Sequence, residues 1–224
     1  MIIAYTMKKA VIVLSGWLDS TVLLYKLIDE WYDVCAINFF YGQKHSKELK
    51  CAEHICKKMG VEYTLVDISF LKKLLNSALT KDDIDIPEWH YQADTMKMTV
   101  VPNRNMIFAS IAVGYAQSIW ATIVALGVHG GDHEIYPDCR EDFMQKLNKA
   151  VEISDRHKVS LYYPLIHMDK STIVNVWLHL WVDFAKTWTC YKWGEIPCGK
   201  CWSCMEREEA FKKNWMKDPL LASL

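Results

Sequence analysis

The sequence predicts an α/β fold, a doubly wound parallel five-stranded sheet, with a C-terminal four-cysteine zinc-binding segment. Three observations carry this expectation. The stretch VIVLSGWLDSTVLL at 11–24 joins a short apolar run to a polar turn and then to a helical pattern. Apolar runs and amphipathic segments go on alternating along the chain, as βαβ units do. Four cysteines gather near the C-terminus as C-x7-C-x2-C-x2-C.

The elements follow in order. Residues 11–14 form an apolar run suited to a buried parallel strand. From 21 to 30 the period becomes helical, with Val22, Leu23, Tyr25, Leu27 and Ile28 on one face. A second strand is expected at 33–41, ending at Gly42, then a helix at 45–59 closed by Gly60. Residues 61–68 alternate like a third strand, and a short helix follows around 70–78. The stretch 80–100 has no clear period and reads as an excursion over the ligand-binding face. A strong apolar helix spans 104–119, a fourth strand 121–128, a helix 140–154, a fifth strand 159–165 and a last core helix 170–180. Residues 1–186 form the expected nucleotide-binding domain, and 187–224 a zinc-binding segment packed on it.

Composition narrows the function classes. A chain of 224 residues with 51% hydrophobic content can bury one sizeable α/β core. A net charge of −1 supplies no basic field, so no direct nucleic-acid partner is expected. No run approaches the ~20 apolar residues of a membrane span. The N-terminal MIIAYTMKKA lacks a signal-peptide layout, because its lysines follow the apolar residues. A cytoplasmic protein is the simplest expectation, and its eight cysteines then read as metal ligands or thiols rather than disulfides. Cys35, Cys51 and Cys56 fall on apolar faces and read as small buried hydrophobes.

Two motifs carry chemistry. A strand, a tight polar turn and a helix N-terminus make an anion site, because first-turn N–H groups are free and the dipole favours negative charge. The hydroxyls of Ser15, Ser20 and Thr21 add donors. No Gly-Lys-Ser/Thr follows, so the loop is not a Walker A motif. Cys190, Cys198, Cys201 and Cys204 suit tetrahedral Zn²⁺, with an iron–sulfur cluster or plain reduced thiols as the other readings.

SGWLDS at 15–20 resembles the SGGxDS loop of the PP-loop ATP pyrophosphatases, whose fold is adenine nucleotide α-hydrolase-like, or Rossmann-like. Further motifs are VPNRN at 101–105, YPDCR at 136–140, YGQKH at 41–45, Gly127-Val128, Thr189-Cys190-Tyr191 and Cys204-Met205-Glu206-Arg207. Taken in this order with the cysteines, they make the chain similar to the 7-cyano-7-deazaguanine (preQ0) synthase family over about residues 8–211. The resemblance implies a ligase that makes the nitrile from 7-carboxy-7-deazaguanine, ammonia and ATP, through adenylated acid and amide, for queuosine or archaeosine in tRNA. It implies Zn²⁺, ATP with Mg²⁺ as co-substrate, small-molecule substrates and a homodimer.

The resemblance places ATP at Leu14, Ser15, Gly16, Trp17, Leu18, Asp19, Ser20, Thr21, Val22 and Arg104. Ser15, Asp19, Ser20 and Lys170 are the implied catalytic residues, and Tyr41, Gln43, Arg104, Asn105, Asp132, Asp138 and Arg140 the implied substrate contacts. Several have a plainer alternative. Asp19 can hold Mg²⁺ or be a helix N-cap. Arg104 can fork onto a phosphate or carboxylate, or be a surface charge at a helix start. Asp138 can accept N–H groups from a guanine-like edge, with Arg140 pairing an anion, or the two can belong to a capped loop. Lys170 can neutralise pyrophosphate or be solvated. His129, Asp132, His133 and Glu134 leave a second metal site open, with polar loop residues the better reading.

One departure is marked. Trp17 stands at the second Gly of the family loop, and Trp31, Trp120, Trp181 and Trp202 also fall where the family pattern or local geometry asks for Gly. Trp89, Trp177, Trp193 and Trp215 look similarly misplaced, whereas Trp188 fits the family. Trp17 is expected to crowd the phosphates and to remove the freedom of Gly, giving weak ATP binding or a disabled family member. Other PP-loop enzymes, such as a tRNA sulfur transferase using Cys139 or an amide-forming synthetase, remain rivals. So does a zinc-ribbon nucleic-acid-binding protein.

Overall fold

The computed structural model describes residues 7–88, 96–132, 135–192 and 194–223. Trp89, Trp193, His133 and Glu134, and part of the excursion expected at 80–100, lie outside the described residues. The elements are β1 (Lys9–Val13), α1 (Leu18–Asp29), β2 (Asp33–Phe40), α2 (Lys47–Met59), β3 (Glu62–Asp67), α3 (Arg104–Ser118), β4 (Ile123–Ala125), α4 (Glu141–Glu152), β5 (Ser160–Tyr162), α5 (Lys170–Trp177), α6 (Trp202–Lys213) and α7 (Pro219–Ala222).

Among the described residues the strands form one parallel sheet in the order β3-β2-β1-β4-β5. Ala10, Val11 and Ile12 on the central strand are 0% exposed because both faces of the sheet are covered. Val11 belongs to the core on one side of the sheet, with Ala109, Ala112, Val113 and Ala116 of α3 and Met144 and Val151 of α4. Ala10 and Ile12 face α1, Ile55 of α2, Ile173 and Val174 of α5, and Phe211 of α6. The order reverses between β1 and β4, so their carboxyl ends part and leave a crevice.

Several boundaries differ from the sequence expectation. α1 begins at Leu18, so Asp19 and Ser20 lie in its first turn, and the N-cap is Trp17 rather than Asp19. The fourth strand is only Ile123–Ala125, because Gly127–His129 leave the sheet and turn over α1. The fifth is Ser160–Tyr162. The expected short helix near 70–78 is the 3-10 turn Ser69–Lys73. The last core helix stops at Trp177 and continues as the 3-10 turn Leu178–Leu180. α6 and α7 had no counterpart in the sequence reading.

The C-terminal segment is pinned by one arginine. Arg207 is 2% exposed. Its Nε and one terminal nitrogen donate to the two carboxylate oxygens of Asp218 at 2.7 and 2.9 Å. Its remaining N–H groups reach Thr187 Oγ1, Thr189 Oγ1 and the Phe184 carbonyl. The buried charge is therefore paired in a bidentate fork and fully hydrogen-bonded.

The tryptophans divide into distinct groups. Trp31, Trp120, Trp181 and Trp215 each follow a helix end with φ of 61°, 60°, 54° and 57°. Gly60, at φ 68° after α2, occupies the same kind of position. Trp202 differs from expectation: it opens α6 with helical backbone. Trp177 is likewise the last residue of α5 rather than a left-handed cap. Trp188, by contrast, is 1% exposed and donates its indole N–H to the Cys190 carbonyl at 3.0 Å. A left-handed L-residue costs ~1–2 kcal/mol relative to Gly, reduced by the chain entropy that Gly loses on folding. Replacing Trp31, Trp120, Trp181 and Trp215 by Gly is expected to stabilise the fold by ~1 kcal/mol per site, nearly additively, since they cap separate elements. Urea unfolding midpoints of the single and fourfold variants check this.

Candidate active site

The crevice between β1 and β4 opens into a cleft of about 1080 Å³ measured to its mouth. Its floor is the loop after β1. Gly16 has φ +83°, and a Cβ there would strike the Glu48 carbonyl and lie 2.9 Å from Ala52 N, so only Gly fits. Ser15 Oγ and Ser20 Oγ sit 2.9 Å apart, and the Trp17 N–H donates to Ser15 Oγ at 3.2 Å. Gly127 closes the other side, where a Cβ would lie 3.1 Å from both Ser20 N and Ser20 Cα. Two glycines thus bring the β4 loop and α2 against the first turn of α1.

A buried line of charge crosses this floor. Lys170 Nζ lies 2.6 Å from Glu206 Oε2 and 3.6 Å from Asp19 Oδ2. His129 Nε2 lies 3.7 Å from Asp19 Oδ1. Lys170 is 4% exposed and His129 1%. Asp19 Oδ1 and Thr21 Oγ1 are buried without a hydrogen-bond partner among the described residues. A buried carboxylate oxygen in that state is a place for a cation or a donor from a ligand.

The far wall is built at the start of α3. Arg104 donates to Tyr41 Oη at 3.4 Å, with its guanidinium over that ring. Burial pushes the Tyr41 phenol up to about 12, with Arg104 opposing, so it stays a neutral donor. Burial works against the Arg104 charge, while the Asp138 carboxylate nearby favours it. Asn105 Nδ2 donates to Cys139 Sγ at 3.2 Å, and Phe108 stacks on Phe39 with centroids 4.4 Å apart.

Of the residues singled out from sequence, Ser15, Trp17, Asp19, Ser20, Tyr41, Arg104, Asn105 and Lys170 line the cleft. Leu14, Leu18 and Val22 are core residues at 0% exposure, and Gly16 is packed against α2. Gln43 is a buried brace: its side chain accepts from Tyr41 N and donates to Phe39 O and Glu48 Oε1. Asp138 does not cap the helix that follows it. It accepts from Asn105 N at 3.0 Å and so holds the start of α3, while the N-cap of α4 is Arg140, which is exposed and does not line the cleft. The backbone of Asp132 closes the 3-10 turn Gly130–Asp132. Sequence reasoning gave no role to Glu48 or Asn38, and none individually to Tyr136, Tyr191 and Glu206, all of which line the cleft.

The backbone at Trp17 corrects one expectation. Its φ of −78° and ψ of 164° are ordinary extended geometry, so the loop needs no Gly there; Gly16 takes the left-handed position. The indole lies in the cleft, donates to Glu48 Oε2, and faces Tyr191 with centroids 5.3 Å apart.

The four cysteines come together beside this floor. Their sulfurs all lie within 4.8 Å of one another. A tetrahedral ion with bonds of about 2.3 Å needs sulfurs about 3.8 Å apart, so the set fits one ion. An iron–sulfur cluster, which spreads its thiolates over several irons, needs a wider set. Backbone N–H groups of Lys192 and Cys198 donate to Cys190 Sγ, and those of Lys200 and Cys201 to Cys198 Sγ, at 3.3–3.4 Å. Hydrogen bonds from Cys201 and Cys204 pull the Cys190 thiol well down, and the same contacts push Cys201 and Cys204 up. The cluster touches the cleft through backbone, since Trp188 N donates to Gly16 O at 3.0 Å.

Comparison with known proteins agrees with this geometry. A family model described as queuosine biosynthesis protein QueC matches residues 9–215. The chain is 48% identical over 212 residues to a 7-cyano-7-deazaguanine synthase of Caldicellulosiruptor bescii, covering 95% of this chain and 96% of that one. It is 47% identical over 212 residues to the synthase of Methanoregula boonei, covering 95% and 98%. Among solved structures, NMN synthetase from Francisella tularensis matches with a TM-score of 0.54 at 13% identity, covering 96% of this chain and 81% of that one. NH3-dependent NAD synthetase from Campylobacter jejuni matches at 0.50 and 14%, covering 98% and 80%. These two likenesses show the fold alone. With a family match across nearly its full length and relatives near half identity, the chain belongs to the queuosine biosynthesis protein QueC family.

Proposed function

We propose that this chain converts 7-carboxy-7-deazaguanine, ammonia and ATP into 7-cyano-7-deazaguanine. The single observation that carries the reading onto these residues is the buried Asp19–Lys170–Glu206 line at the first turn of α1, facing Arg104 across the cleft. In this reading the α1 N-terminus, Ser15 and Ser20 hold the pyrophosphate, and Lys170 draws charge onto it as it leaves. The substrate carboxylate attacks the α-phosphorus, pyrophosphate departs, and ammonia displaces AMP to give the amide. The amide oxygen then attacks the α-phosphorus of a second ATP, a second pyrophosphate departs, and loss of AMP and both N–H protons leaves the nitrile. Arg104 and Tyr41 orient an anionic or carbonyl group at the far wall, with Asn105 held in place by Asp138.

Two carboxylates meet one ammonium in the buried line, which disfavours a polyanion unless a further cation accompanies it. Asp19 Oδ1 is the group that would hold Mg²⁺, whose role when bound is to neutralise phosphate charge. Cys190, Cys198, Cys201 and Cys204 would hold Zn²⁺ as a closed structural site, keeping Trp188 against Gly16. The family reading also includes a homodimer and a cytoplasmic location. Among the described residues no helix is long and apolar enough to cross a membrane.

Incubation of the zinc-loaded chain with ATP, Mg²⁺, ammonium and 7-carboxy-7-deazaguanine is expected to yield AMP, pyrophosphate and the nitrile, followed by mass spectrometry. AMP with no amide or nitrile would refute the acceptor chemistry. Stripping metal with a chelator is expected to lower both the melting temperature and turnover, and zinc to restore them. Full turnover by the metal-free chain would remove the structural role of the cysteines.

A further inference from the structure

We infer that the space filled by the Trp17 side chain is the subsite for a fused nitrogen heterocycle, with Glu48 as the carboxylate that receives its N–H edge. This rests on the proposed function for the choice of ligands, though not for the geometry. Glu48 lines the cleft, yet its side chain is only 5% exposed. A buried carboxylate needs donors. One is Gln43 Nε2, at 2.9 Å from Glu48 Oε1. Gln43 is itself fixed by Tyr41 N and Phe39 O, so the carboxylate is oriented by the protein before any ligand arrives. The other donor is the indole N–H of Trp17 to Oε2.

The indole is a flat fused bicycle carrying one ring N–H. Its ring faces Tyr191 at 5.3 Å and His45 at 6.5 Å. It therefore presents to Glu48 the shape and donor that a purine or deazapurine would present. The backbone at Trp17 is extended, so nothing in the loop requires this side chain. His45 is 2% exposed with both ring nitrogens lacking a hydrogen-bond partner, and Nδ1 lies 3.5 Å from Glu48 Oε2. A buried imidazole in that state is a further polar group on the subsite wall. A guanine-like edge offers two adjacent donors, which suits a carboxylate; the adenine edge offers one donor beside an acceptor.

The test is calorimetric titration of the zinc-loaded full chain with 7-carboxy-7-deazaguanine and, separately, with ATP and Mg²⁺. Trp17→Gly is expected to gain about tenfold or more in affinity for a base-bearing ligand. Trp17→Phe, which still fills the space, is expected to gain little. Trp17→Gly combined with the isosteric Glu48→Gln is expected to lose the gain, with zinc content and melting temperature confirming a folded chain. The ligand that responds identifies the base: the deazaguanine if the carboxylate reads a lactam edge, ATP if it reads adenine. Unchanged affinity for both ligands on Trp17→Gly, or a gain that survives Glu48→Gln, overturns the inference. Nitrile formation is followed separately, so Glu48-dependent binding without nitrile would sink the proposed function and leave the subsite standing.

A second observation stands independently. Trp31, Trp120, Trp181 and Trp215 share one backbone state, and their side chains are 78%, 74%, 89% and 97% exposed. Among the described residues only Trp120 of the four has a ring neighbour, His157. After Trp31, Trp120 and Trp215 the next N–H reaches back into the helix (Tyr32 to Leu27, Ala121 to Ala116, Met216 to Phe211), as Val61 does to Cys56 after Gly60. One residue type recurring at one strained position, with no packing gain, points to a decoding rule rather than separate mutations. UGA is one base from the tryptophan codon UGG and one from the glycine codon GGA, and we infer that the cell of origin reads it as glycine at these four positions. Peptide mass spectrometry of the chain isolated from its own cells is expected to find glycine residue masses there and tryptophan at 188. Tryptophan masses at the four positions would overturn this.

Discussion

The structure depends on one close approach. Where Gly16 meets α2 there is no room for a side chain, and where Gly127 passes Ser20 a Cβ would already be crowded at 3.1 Å. These two contacts press the first turn of α1 between the β4 loop and the start of α2. Asp19 is thereby brought to His129 and Lys170, and Trp17 to Glu48. The sheet reversal alone would give a crevice. The glycines turn it into a site where helix N–H groups and buried charges face one small volume.

The C-terminal segment is a second support for that volume. α6 carries Cys204, Glu206 and Arg207 within about one turn of helix. Cys204 joins the sulfur cluster, Glu206 reaches Lys170 in the cleft, and Arg207 locks the segment through Asp218. Trp188 then hands this rigidity to the loop through Gly16 O. A metal at the cysteines would act on the site by fixing where α6 begins, with no need to touch a reacting atom.

What the sequence made legible follows from what local pattern can encode. The strands and helices through α5 show in apolar period, and the SGWLDS turn and the cysteines show in spacing. α6 was hidden because its inner face buries Arg207, so the apolar period is broken where the helix packs best. The fourth strand looked long because Gly127 and Val128 are apolar, yet the approach to Ser20 pulls them out of the sheet. Asp138 reads as a cap for the nearest helix, but it caps α3, which is distant in sequence. Glu48 stands in the first turn of α2 with nothing local to mark it. Its burial comes from the Gly16 loop folding over it, a tertiary event that no window of sequence contains.

Glycine is needed in this fold for two separate reasons, and the chain meets them unequally. Gly16 and Gly127 serve closeness of approach: a Cβ at Gly16 collides with backbone, and one at Gly127 would crowd the Ser20 backbone at 3.1 Å; both are glycine. The helix ends after α1, α3 and α6 and after the turn Leu178–Leu180 serve only backbone hand, and there a tryptophan can stand with its ring in water. A Cβ collision with backbone cannot be relieved by a rotamer change, whereas a left-handed φ costs a bounded amount at each site. The architecture therefore tolerates tryptophan at its helix ends and keeps the sheet order and the buried charge line. Trp17 belongs to neither case, because its backbone is unstrained. Its consequence is confined to the space inside the cleft, which is where a heterocyclic ligand would have to lie.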